Sequence, residues 1–508
     1  MQKSKTLVYS LLISLAIALV VEHRVFYDIT AINDDVRNQI YWMARFIDPS
    51  YFSNDYIASY FTQPSMISPL IGLLYQFLSH FADPKFATQF LVFPIVLLTT
   101  FFLYKAAETH INVKSRYAFW VCFVFNLYIW TMKYTAGSLP RSYFYLLFFL
   151  FLWLLAAKHW NWLVVCFVLQ ALIYPTAFFV SIVTLILEIF QTKKTLGSFD
   201  KAQIQTSIIG SLAAFVVFYF RYLRHHASQF GSMQSLTEAL KMPEFYIDGR
   251  ACVFIIPFKL TAQVLHGVPG LIIYLSLIVG VYFVIKWFVI NKLEVISSPD
   301  YLWTSVNASL FLFVLAHFVL FYLYLPHRYI TYVLPLIPIF LLGAVLYKLD
   351  MKFTHKPIVI WSIAILCLAL IYPRWNDDLI EIPQNEQKLY QFLKTTPRNA
   401  LVVAPLKLAS NIPAFSYRSV LVSHEVNIPF HKDYYKEIQA RIKALDLIYS
   451  SRNNIELTNI IHKYNIRYII IDLKQNPNAA LREMFANQIV YSTKRFIILD
   501  LSSLESHS

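Results

Sequence analysis

Three features of this sequence predict a polytopic α-helical membrane protein, with about 11 transmembrane helices and a C-terminal soluble α/β domain. Of its 508 residues 58% are hydrophobic and only 14% charged, with mean hydropathy +0.53. A soluble domain usually carries about 25% charged residues. Apolar runs long enough to cross a hydrocarbon core of roughly 30 Å recur as far as residue 372. Beyond it charge returns and the apolar runs shorten to strand length.

The expected spans are 7–21, 86–104, 117–132, 142–157, 160–174, 176–190, 203–222, 268–290, 302–325, 329–347 and 357–372. No small-residue cleavage site follows Leu7–Val21, so it is expected to be a retained first span. Segment 66–81 is short and lies among Pro64, Pro69 and Pro84, which predicts an interfacial or re-entrant helix. The net charge of +14 does not form one basic stripe, which argues against nucleic acid. Its Lys and Arg gather in short connections such as 105–116, 191–203 and 347–356. By the positive-inside rule these are cytoplasmic, giving an N-in, C-out chain. Large outer loops then fall at 22–85 and 223–267, with smaller ones at 133–141 and 325–328.

The expected domains are therefore a transmembrane module, 1–372, and an extracytoplasmic α/β domain, 373–508. In the latter, Ala400–Ala404, Ser419–Val422, Arg467–Ile471 and Phe496–Leu499 read as strands, and Gln387–Lys394 and Tyr434–Tyr449 as helices. Cys122, Cys166 and Cys367 lie in apolar runs and Cys252 in a loop, which excludes a disulfide framework or a paired-cysteine metal site. The one Asn-x-Ser/Thr match, Asn307–Ala308–Ser309, falls inside an apolar run and points to a prokaryotic source. A bacterial inner (plasma) membrane is the expected location.

The stretch AINDDVRNQIYWMARFIDPSYF (31–52) carries the main functional signal. After Asn33, Asp34 and Asp35, apolar residues at Val36, Ile40, Met43 and Ile47 follow a helical stripe. One of the three polar residues is expected to cap that helix. A capped surface helix also holds a carboxylate firmly, as a general base requires.

An acid pair soon after the first span, then a short amphipathic helix, many spans and an outer C-terminal domain, resembles the GT-C membrane glycosyltransferases. These include the protein O-mannosyltransferases, aminoarabinose transferases and oligosaccharyltransferases. Their Asp-Glu-x-Arg is matched here by Asp34, Asp35, Val36 and Arg37, with Asp in place of Glu. The resemblance implies transfer of a sugar from a polyprenyl-phosphate donor to a glycan, lipid or protein acceptor at the outer face. Asp34 would be the base and Asp35 its helper or a cap.

A phosphate leaving group calls for fixed cations. The outer loops offer Arg328 and His327 in LPHRYITYVLPLIP (325–338), Arg141 in GSLPRS, Arg221, Arg224 and Arg250. Interfacial anchoring is the competing role for Arg328 and Arg141. Arg37, Glu244, Asp248, Arg418, His424 and Glu425 are candidates for an acceptor or substrate surface. No metal ligands are assigned, because the loop KYTAGSLPR has no acid and SHEVNIPFH lacks a defined zinc spacing. A divalent metal stays open as a cofactor without support from that loop. The tail lacks the WWDYG motif of oligosaccharyltransferases. His317, alone in an apolar run, reads as an interhelical hydrogen-bonding residue. A transporter or lipid flippase, or a non-catalytic assembly protein with an outer binding domain, are the alternatives.

Overall fold

The computed structural model describes residues 2–28, 30–63, 66–110, 115–131, 136–196, 200–220, 229–256, 259–260, 267–292, 300–323, 325–352, 379–475 and 479–502. Helices α1 (Gln2–Tyr27), α2 (Asp34–Gln39), α3 (Tyr56–Phe61), α4 (Pro69–Leu78) and α5 (Pro84–His110) come first. Then follow α6 (Ser115–Ile129), α7 (Phe144–Ala156), α8 (Trp160–Ile173), α9 (Pro175–Leu196) and α10 (Lys201–Phe218). A short α11 (Leu236–Ala239) precedes α12 (Gly267–Lys292), α13 (Asp300–Phe318), α14 (His327–Val333) and α15 (Leu336–Lys352).

Each expected span up to 302–325 falls on one helix, 329–347 is divided between α14 and α15, and 357–372 lies outside the described residues. Among the described residues six helices are long and apolar enough to cross a membrane, and the chain is a polytopic membrane protein. Helix α4 has 10 residues. At 1.5 Å rise per residue it spans about 15 Å and cannot cross. Helix α13 stops at Phe318, short of the expected end at 325, and the chain turns through Phe321 at φ 66°. That turn puts His317 in the last turn of its helix, not in mid-span.

Helix α7 is apolar on all sides because it packs against α5, α8 and α9 at the centre of the bundle. Its Phe144 stacks on Tyr332 of α14 at 4.2 Å. Between helices lipid supplies no hydrophobic contrast, so close packing and polar contacts take over. Ser14, Thr100 and Asn126 bond one another across α1, α5 and α6. Gly343 lies so near Val121 that a Cβ there would meet its side chain at 2.7 Å.

The C-terminal part carries a five-stranded sheet of order β4-β3-β5-β7-β6. Its strands are β3 (Leu401–Val403), β4 (Ser419–Val420), β5 (Ile466–Asp472), β6 (Ile489–Ser492) and β7 (Phe496–Asp500). Strands β4, β3 and β5 run parallel, and β7 and β6 add antiparallel. Alternation splits the sheet between two cores. Ile470 and Ile498 face helices at Gln384–Thr395 and Ile412–Ser416, while Ile469 and Ile497 face helices at Lys432–Ser450 and Asn454–Tyr464. Strand β6 escapes sequence reading because its residues alternate between half-buried and exposed, leaving no apolar run.

This sheet unit is docked onto the loops of the helical part. Strand β1 (Ile32–Asn33) pairs antiparallel with β2 (Leu379–Ile380). Tyr60 of α3 stacks on Tyr434 at 3.6 Å and bonds His431 Nδ1 at 2.9 Å. Backbone bonds join Gln234 to Phe430 and Lys432 to Ser232. Ile57, Tyr60 and Phe230 belong to the same apolar cluster as Ile469 and Leu499, so the sheet's core runs on into the loops.

Candidate active site

The acid pair opens α2. The cap is Asn33, whose side-chain oxygen accepts from the backbone N–H of Asp35 at 3.1 Å and of Val36 at 3.3 Å. Neither Asp34 nor Asp35 is consumed in capping, so of the two roles expected for Asp35, helper or cap, the cap falls to Asn33. The apolar stripe is not one helix either. After Gln39 the chain tightens to a 3-10 turn, Tyr41–Phe46, and Ile47 is exposed while Val36, Ile40 and Met43 are buried.

Each acid has its own arginine. Asp34 accepts from Arg37 one turn on, and Asn38 Nδ2 donates to its backbone carbonyl at 2.9 Å. Asp35 accepts from Arg141 at 2.5 Å. Both carboxylate side chains remain partly open, 42% exposed for Asp34 and 38% for Asp35. Burial alone would raise the Asp35 pKa. Arg141, with Arg328 and Arg250 behind it, more than offsets that and holds the carboxyl below its usual range.

The Arg141 contact depends on how its loop is seated. Ser138 Oγ donates to Thr88 O at 2.7 Å, and Tyr75 OH donates to Ser138 O at 3.2 Å. Gly137, at φ 78°, lies against Val36; a Cβ there would sit 1.8 Å from Val36 Cγ2. Close approach and left-handed backbone together require glycine. Pro140 then starts a 3-10 turn that carries the buried Arg141.

A third wall comes from far along the chain. Arg37, itself buried, donates to Asn411 and lies 3.9 Å from Glu425. Arg250 pairs with the Glu425 carboxylate, and its Nη2 also donates to the Glu425 carbonyl at 3.3 Å. His424 Nδ1 is 3.2 Å from the same carboxylate. Burial, then Arg250 and Lys407, lower the His424 pKa, so its ring is neutral at pH 7 and donates from Nδ1. Arg328 stands in the first turn of α14 within electrostatic reach of Asp35. His327 Nδ1 beside it is buried with no hydrogen-bond partner among the described residues.

Asp34, Asp35, Arg37, Arg141, Arg250, Arg328, His424 and Glu425 thus converge. Other candidates do not. Arg418 is buried and bonds the carbonyls of Lys394, Thr396, Ser416 and Tyr417, a structural part within the sheet unit rather than an acceptor surface. Glu244 accepts from Tyr435, and Asp248 is exposed. Arg221 and Arg224 lie outside the described residues. His317 bonds the Phe313 carbonyl of its own helix at 2.7 Å, not a neighbouring helix. Sequence reading missed Asn411 and Gly137. Only the latter left a local signal, a Gly-Ser pair shortly before Pro140. Among the described residues no group of three or more His, Cys, Asp or Glu could hold a metal ion. Both acids face guanidinium groups instead, a poor donor set for a divalent cation.

Neither a protein-family profile nor a curated relative matches the sequence. Solved structures do match. One is the Archaeoglobus fulgidus oligosaccharyltransferase, crystallised with zinc and sulfate. The TM-score is 0.52 over 92% of this chain and 68% of that one, at 12% identity. The fold is therefore similar to that of this archaeal oligosaccharyltransferase. At 12% identity the likeness carries the architecture and leaves the chemistry to this chain's own residues.

Proposed function

We propose that this chain is a GT-C membrane glycosyltransferase. It takes a sugar from a polyprenyl-phosphate donor and places it on a hydroxyl-bearing glycan, lipid or protein acceptor at the extracytoplasmic face. The observation that carries the reading is a half-open carboxylate pair ringed by guanidinium groups from separate segments of the chain, Arg37, Arg141, Arg250 and Arg328.

Asp34 removes the acceptor hydroxyl proton as that oxygen attacks the anomeric carbon. The carbon–oxygen bond to phosphate breaks with its electron pair on the leaving polyprenyl phosphate. Attack opposite to departure inverts the configuration. Asp35, fixed by Arg141, keeps the head of α2 in place and shares in the field on the base. Arg328, Arg250 and His327 meet the phosphate, where fixed donors stabilise charge as it develops. The lipid tail stays in the bilayer beside the helices. With basic connections cytoplasmic, the loops and the sheet unit face outward.

The test is sugar transfer by purified full-length protein in proteoliposomes, from undecaprenyl phosphate bearing mannose, glucose or galactose in turn. Asp34→Ala and Asp34→Asn are expected to lower kcat by about 10²- to 10⁴-fold. Transfer that survives both changes removes Asp34 as the base.

A further inference from the structure

Glu425 belongs to the sheet unit, nearly four hundred residues after the acid pair in sequence, yet its side chain is only 11% exposed and faces two arginines of the site. The 3-10 turn that bears it, His424–Val426, opens the segment whose Phe430 and His431 lock onto Gln234 and Tyr60. That segment is therefore held at both ends, and the carboxylate is delivered to a fixed place. Arg37 bonds Asp34 on its own helix and Asn411, and lies 3.9 Å from Glu425. Asn411 is neutral, so Glu425 is the anion that the sheet unit brings to share the guanidinium charge with the acid pair. Arg250 would otherwise be drawn toward the acid pair, and it is tied instead by both the carboxylate and the carbonyl of Glu425. A base clamped in full ion pairs with two arginines is a poor proton acceptor.

Resting on the glycosyltransferase reading, we infer that Glu425 is a positioning residue: it shares the charge of Arg37 with Asp34 and holds Arg250 off the acid pair, so that the sheet unit completes the active site rather than serving as a detached binding module. Among the described residues the guanidinium groups of Arg37, Arg141, Arg250 and Arg328 face the carboxylates of Asp34, Asp35 and Glu425. Neutralising Glu425 makes the field at the site more positive, which favours phosphate binding while it weakens the base.

The experiment separates those effects. With the same proteoliposomes and undecaprenyl-phosphate sugars, Glu425→Gln is expected to lower kcat about tenfold with no rise in the KM for donor. Glu425→Asp should recover part of the loss, because a carboxylate remains. Undecaprenyl phosphate alone should bind Glu425→Gln at least as tightly as wild type. Unchanged kcat in Glu425→Gln overturns the inference. So does a raised KM for acceptor at constant kcat, which would make Glu425 an acceptor contact, or weakened undecaprenyl phosphate binding. A wild-type protein that neither binds nor cleaves any of these donors sinks the glycosyltransferase reading itself. An active wild type with an indifferent Glu425→Gln sinks only this one.

Discussion

Substituting Gly137 by alanine tests the link between a loop glycine and the acid pair proposed to carry the reaction. Two penalties add. The backbone is at φ 78°, where a Cβ costs roughly 1–2 kcal/mol. The new methyl would also sit 1.8 Å from Val36 Cγ2, against the 3.4 Å at which ordinary contact begins. Val36 is buried and sits on α2 between Asp35 and Arg37, so the gap opens only if α2 or the Arg141 loop moves. Misplacing a catalytic group by about 1 Å costs on the order of 10²-fold in rate. We expect Gly137→Ala to lose about a hundredfold in kcat, near 2.7 kcal/mol of barrier, with the bundle still folded. Transfer from undecaprenyl-phosphate sugars reads the loss. The double variant with Val36→Ala removes the Cγ2 contact and leaves Val36 Cβ at 3.3 Å, so about tenfold should return. Activity of Gly137→Ala within about threefold of wild type would refute the reasoning. Failure of Val36→Ala to relieve the defect, when it is itself active, would refute it too.

Two more outcomes are expected. The Asp35 carboxyl is held below its usual pKa, so its pairing contributes stability above the ordinary carboxylate range, and that share fades as pH falls through the depressed value. Arg141→Gln should therefore flatten the fall in thermal midpoint between about pH 6 and pH 3; an unchanged slope would show that the pair does not titrate with folding. Tyr60→Ala removes a fully buried ring together with its bond to His431. It should cost about 3–5 kcal/mol and loosen the docked sheet unit, seen as faster amide exchange at Phe230–Gln234; protection equal to wild type would contradict the docking account.

The helices were legible because each is a long apolar run, and crossing a bilayer demands that composition whatever the neighbours are. The acid pair was legible for a similar local reason: Asn33, Asp34, Asp35 and the stripe after them lie in one continuous stretch. Strands β3, β5 and β7 announced themselves through buried apolar residues, whereas β6 did not. Even within the legible parts, local pattern left choices open. It could not say which of three polar residues capped α2, nor that α13 would end early and bring His317 to the last turn of its helix.

The sequence by itself determined that the chain is built of apolar helices long enough to cross a membrane and where a carboxylate could be mounted, since these follow from composition and short-range order. Tertiary structure alone decided which cations meet the acids. Arg141, Arg250 and Arg328 come from three separate segments, and Glu425 and Asn411 from the docked sheet unit. An ion pair leaves no trace in residue spacing when its partners are hundreds of residues apart. Gly137 shows the same point from the other side: a single missing Cβ matters only because Val36 of the acid helix fills the space it leaves.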